Sequence, residues 1–73
     1  MTSNDKELND LALADRHIVE AVARIEAQQL FVESLRQSGS DLEQAVDLLR
    51  TMQETLEQFR AHRSIIVQTL EGP

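Results

Sequence analysis

Two histidines, His17 and His62, are the side chains of this 73-residue chain best equipped for chemistry. An imidazole changes charge at about pH 6.5 and ligates divalent metals when neutral. With Glu20 nearby, the pair offers a weak metal site or a pH-sensitive interface. The spacing argues for neither. Di-iron helical bundles carry Glu three residues before a ligand histidine, and that position before His62 is Phe59. His-Glu-x-x-His does not occur. The expectation is two polar surface or interface histidines and no bound metal.

Other chemistries fail on the same kind of evidence. Ile18-Val19-Glu20-Ala21 follows His17 without the Glu-Leu-Arg-x-Pro-type box of a phosphate-accepting histidine. There is no cysteine. Ser34, Ser38, Ser40 and Ser64 have no His–Asp constellation around them. Two glycines are too few for a phosphate loop. The carboxylates, including Glu26, Glu33, Glu54 and Glu57, read as solvated helix faces, with Arg16–Glu20 and Glu20–Arg24 as ordinary i,i+4 partners. The expectation is a protein that is not an enzyme and uses no cofactor.

The elements that position these residues follow from one break, Ser38-Gly39-Ser40-Asp41. Gly39 suits the left-handed conformation that ends many helices. Ser40 then reads as an N-cap, with Glu43 completing a capping box. The reading is all-α: helix 1 over about 4–37, a turn at 38–40, and helix 2 over about 41–70, stopped by Gly72-Pro73. Residues 1–73 make a single domain, an antiparallel two-helix hairpin.

Helix 2 carries a seam of Leu42, Ala45, Leu49, Met52, Leu56, Phe59, Arg63, Ile66 and Leu70, alternating steps of three and four. Helix 1 answers with Leu11, Ala14, Ile18, Ala21/Val22, Ile25, Val32 and Leu35, interrupted by Asp15, Gln28 and Gln29. With Gly39 as pivot, residues at one level have numbers totalling about 78. That places Asp15 opposite Arg63 and predicts an ion pair that sets register.

Apolar residues also lie off the seam. Leu13, His17, Arg24, Phe31 and Leu35 share one flank of helix 1, and Leu48, His62 and Ile66 the matching flank of helix 2, with Ile65 nearby. A lone hairpin cannot bury this second face. Leu13, His17, Phe31, Leu35, Leu48, His62 and Ile66 are therefore the expected dimer face, and a homodimer forming a four-helix bundle is the expected assembly. The small size and the lack of disulfides point the same way.

Bulk charge narrows the partners. Thirteen acidic against seven basic residues give a net charge of −6. Such a chain suits neither nucleic acid nor an anionic membrane surface. No apolar run reaches the ~18 residues of a membrane span. The opening residues lack a charged region followed by an apolar core, so no secretory leader and a cytoplasmic location are expected. A protein partner of unknown identity fits the acidic outer faces.

The stretch from Ala14-Asp15-Arg16-His17-Ile18 to His62-Arg63 resembles a group of short alphaproteobacterial helical-hairpin proteins. The matching residues are His17-Ile18-Val19-Glu20, Arg24-Ile25, Gln28, Leu35 with Gly39-Ser40-Asp41, Ala45, Leu48-Leu49-Arg50-Thr51 and Thr55-Leu56. Ser40 stands where that group's turn has a His. The resemblance implies a freestanding hairpin and no particular activity. Asp41-Leu42-Glu43-Gln44-Ala45 is also similar to the helix start after the Ser-Gly turn in the small subunit of exonuclease VII, without that protein's longer turn. This second resemblance implies an accessory subunit that docks a larger enzyme.

Overall fold

The 3–4 periodicity of both halves, separated by Gly39, builds two long antiparallel helices. The computed structural model describes residues 3–72. Helix α1 runs Ser3–Ser38 and α2 runs Glu43–Glu71, and no strand occurs among the described residues. Met1, Thr2 and Pro73 lie outside the described residues, and Gly72, the other half of the expected stop, caps α2 at φ +54° with its N–H donating to Gln68 O at 3.0 Å.

The turn closes α1 with paired backbone bonds. Ser40 N–H donates to Leu35 O at 3.0 Å and Gly39 N–H to Arg36 O at 3.2 Å. This 6→1 and 5→2 pairing needs a left-handed residue, and Gly39 has φ +74°. The Ser38 hydroxyl donates to Leu35 O at 3.0 Å and also shares a 2.8 Å hydrogen bond with the Ser40 hydroxyl.

The start of α2 differs from the expected capping box. Ser40 is engaged with Ser38, and Leu42, which flanks the helix, makes no side-chain cap bond. Asp41 Oδ1 instead accepts the Glu43 N–H at 2.9 Å. A carboxylate two residues before a free N–H closes a tight side-chain turn and carries full negative charge at the positive helix end. Asp41 therefore takes the role expected of Ser40, Glu43 serves as a first-turn acid, and α2 begins two residues later than expected.

The core is a thin seam. Ala21, Ile25 and Leu56 are its buried centre, with Ile18, Val22, Leu49, Met52 and Phe59 packed against them. Ala14, Val32, Ala45 and Ile66 extend it toward both ends. Alanines at 14, 21 and 45 let the helix axes approach closely, while Ile25, Leu56 and Ile66 fill the space between. The rod measures 57 × 16 × 13 Å. Its radius of gyration is 16.8 Å, against about 11 Å for a compact chain of this length.

Candidate interaction surface

Each helix sets its functional side chains by rotation about its axis, about 100° per residue. On α1, Asp15 and Ile18 fall to one side of the seam, while His17, Arg24, Gln28, Phe31 and Leu35 fall to the other. The hairpin thus has two broad sides of different chemistry.

The first side is charged. Arg63 Nε donates to Asp15 Oδ1 across the helices, so the structure brings together the two charged residues that interrupt the seams. They border a concavity of about 430 Å³ shared with Ile18, Arg60, Ser64 and Val67. Arg36–Glu33 and Arg60–Glu57 pair on this side, and Arg50–Asp47 toward the back of α2. Leu8, Val19 and Val46 are exposed, and on this side they are interspersed with these charges.

The second side is grooved and apolar. One groove of about 240 Å³ is lined by Ala21, Arg24, Thr51, Met52, Thr55 and Phe59. A second of about 320 Å³ lies nearer the turn, lined by Phe31, Leu35, Ala45 and Leu48 together with the polar Gln28, Asp41 and Gln44. Leu13, Phe31 and Leu48 on this side are 48%, 52% and 49% exposed, and Ile65 on its edge is 60% exposed. Leu35, Met52 and Phe59 are half-buried along its floor.

His17 and His62 are both exposed on this side. The His17 ring stacks against Phe59, with centroids 5.5 Å apart and planes tilted by 34°. Among the described residues, no three His, Cys, Asp or Glu side chains converge on a point that would hold a metal ion.

Two expectations about this side change. Ile66 is 5% exposed and belongs to the internal seam, so it is withdrawn from the dimer face. Ile65 stands in its place, displaced one position along the chain. Glu20 forms no ion pair with Arg16 or Arg24: the five ion pairs among the described residues leave all three out. Between Leu13 and Leu35 on α1 and between Leu48 and Ile66 on α2, Glu20 and Arg24 are the only carboxylate and guanidinium that helical position assigns to the grooved side, and Asp41 lines the groove nearest the turn. In a chain that is 27% charged, that is a marked depletion.

The Lys6 ammonium, hydrogen-bonded to Asp10 at 2.9 Å, is held above its ordinary range by that bond, by the Asp10 charge and by Glu7. No described helix is long and apolar enough to cross a membrane. Comparison with protein-family models, with curated proteins and with solved structures gives no match.

Proposed function

We propose that this chain is a small non-enzymatic structural or interaction protein of the cytoplasm that self-associates through its grooved side into a four-helix bundle. Membership of the short alphaproteobacterial hairpin group is part of the same reading and adds no activity to it. The observation that carries the proposal is the grooved side itself. Leu13, Phe31, Leu48 and Ile65 stand open along it, charges are sparse, and Met52 and Phe59 lie half-buried beneath. Burying these side chains contributes about 25 cal/mol per Å² of apolar area.

The surface area supports the reading. The chain exposes 5562 Å², where a compact monomer of its mass exposes about 4,600 Å². The excess is close to one partner's share of a standard interface, about 800 Å². Sedimentation equilibrium at micromolar concentration tests the proposal. The expected result is a mass of two chains, and a folded monomer overturns it.

A second reading keeps the same surface and changes the occupant. An accessory subunit docks a larger protein through Phe31, Leu35 and Leu48, which border the groove nearest the turn. A monomer whose grooved side stays open favours this reading, whereas a dimer that closes the groove removes it.

A further inference from the structure

We infer that two copies of this chain pair face to face and antiparallel, α1 against α1, with Arg24 of each copy bonded to Glu20 of the other. The inference rests on the self-association proposed above and adds its orientation.

The argument starts from the order of residues along the grooved edge of α1. Leu13 and Phe31 lie nine positions to either side of Val22, and Glu20 and Arg24 lie two positions to either side. A two-fold axis crossing α1 at the level of Val22 sets every residue against the one equally far on the other side. Leu13 then meets Phe31 of the second copy, and Glu20 meets Arg24, each pair occurring twice. On α2 the same operation carries Leu48 toward the half of the second copy that holds Ile65.

The apolar residues alone do not choose this orientation. A parallel pairing lays α1 on α2 of the second copy, where Leu13 faces Ile65 and Phe31 faces Leu48. The charges do choose. In the parallel pairing Arg24 meets the level of Glu54 and Thr55, and Glu20 that of Gln58 and Phe59; Glu54 lies on the back of α2, so a guanidinium and a carboxylate lose water without gaining a counter-charge. Neither has an ion-pair partner within its own chain among the described residues. Arg24 also lines the central groove, the part of the face most completely covered in a dimer. Only the antiparallel pairing gives it a carboxylate there.

The area is sufficient. A face of 57 × 16 Å covers about 900 Å², against about 800 Å² per partner in a stable complex. Antiparallel copies overlap around Val22 and place their two turns at opposite ends.

Two measurements test the orientation. The chain has no cysteine, so Gln37→Cys, at an exposed position of α1 beside the turn, takes a single spin label. Pulsed dipolar spectroscopy of the labelled dimer is expected to read roughly 45 Å between labels, from 1.5 Å per residue over both arms of the pair. A distance on the order of 20 Å, expected for adjacent turns with helices about 10 Å apart, overturns the orientation. The charge reversals R24E and E20R each set like charges together twice and are expected to weaken dimerisation by about tenfold. The combined E20R/R24E variant restores the complementary pairs and most of the affinity. Dimerisation indifferent to all three variants overturns the Arg24–Glu20 contact. A wild-type chain that stays monomeric removes the self-association reading as well, whereas a dimer with a short label distance removes the orientation alone.

Discussion

The Gln28 side-chain amide donates to the Ala45 carbonyl oxygen at 2.9 Å, tying α1 to α2 on the turn side of the core. Gln28 interrupts the apolar seam of α1, and this bond is the reason a polar residue is tolerated there. Ala45 is small enough for the amide to reach its backbone, and a carbonyl has a second lone pair beyond its helical bond. Gln28→Ala is expected to lower stability by about 1 kcal/mol, because the partly buried bond is lost and nothing replaces it. Gln28→Leu loses less, since an apolar side chain in a seam leaves no unsatisfied donor. Urea denaturation of the three proteins measures both differences.

The Asp15–Arg63 contact is of another kind. Both side chains are substantially exposed, at 51% for Asp15 and 42% for Arg63. Water screens such a pair, so its coupling in a double-mutant cycle is expected at about 0.2–1 kcal/mol. Raising the salt to about 1 M shortens the screening length to about 3 Å and should remove most of that coupling. An Asp15→Leu/Arg63→Leu variant that keeps the oligomer and the helix register would rule out a specifying role. Denaturation at two salt concentrations and sedimentation of the double variant separate stability from specification.

At the turn, the expected cap and the observed cap differ by one residue and give opposite predictions. Asp41 Oδ1 accepts the Glu43 N–H, whereas the Ser40 hydroxyl meets only Ser38. Asp41→Ala should therefore lower the thermal midpoint, with a loss of about 1 kcal/mol. Ser40→Ala should change stability by no more than about 0.5 kcal/mol. Gly39→Ala strains a left-handed residue, φ +74°, by about 1 kcal/mol, although a Cβ there meets no other atom. Calorimetry of the three variants ranks these effects.

The hairpin was legible because its signals are local. Seam spacing in α2 repeats without a slip, and Gly39 is the one interior residue suited to a left-handed stop, so helices, turn and level rule follow from short windows. Ile66 was legible as a member of the α2 seam, and its second placement on the flank failed for a geometric reason. Counting 100° per residue drifts by about 20° per heptad from a seam that repeats every 3.5 residues. Across the three heptads from Ala45, that drift moves Ile66 onto the flank, while the packed helices hold it in the seam at 5% exposure. The cap at Asp41 escaped because Ser40 and Asp41 carry equivalent acceptors, and the choice depends on the Ser38–Ser40 contact. The lack of bonding between Glu20 and Arg24 escaped because i,i+4 spacing permits an ion pair without requiring one.

Neighbouring residues Leu30 and Phe31 provide the sharpest test of the grooved side. Both are exposed, Leu30 more so at 73%, and exposure alone would rank Leu30 first as a contact. Rotation about α1 separates them: Phe31 lies beside Leu35 and Leu48 at the groove near the turn, and Leu30 points to the back of the helix, away from α2. An aromatic anchor at an interface carries a disproportionate share of the binding energy. Phe31→Ser should weaken self-association by about tenfold or more and lower the thermal midpoint at a given concentration, because subunit association adds to apparent stability by mass action. Leu30→Ser should leave the dissociation constant within about twofold of the parent's and the thermal midpoint close to it, as a surface substitution away from any contact does. Sedimentation and melting at two concentrations distinguish the outcomes. Equal effects from the two serines would mean that the apolar residues act through general solubility, and that the grooved side is not the interface.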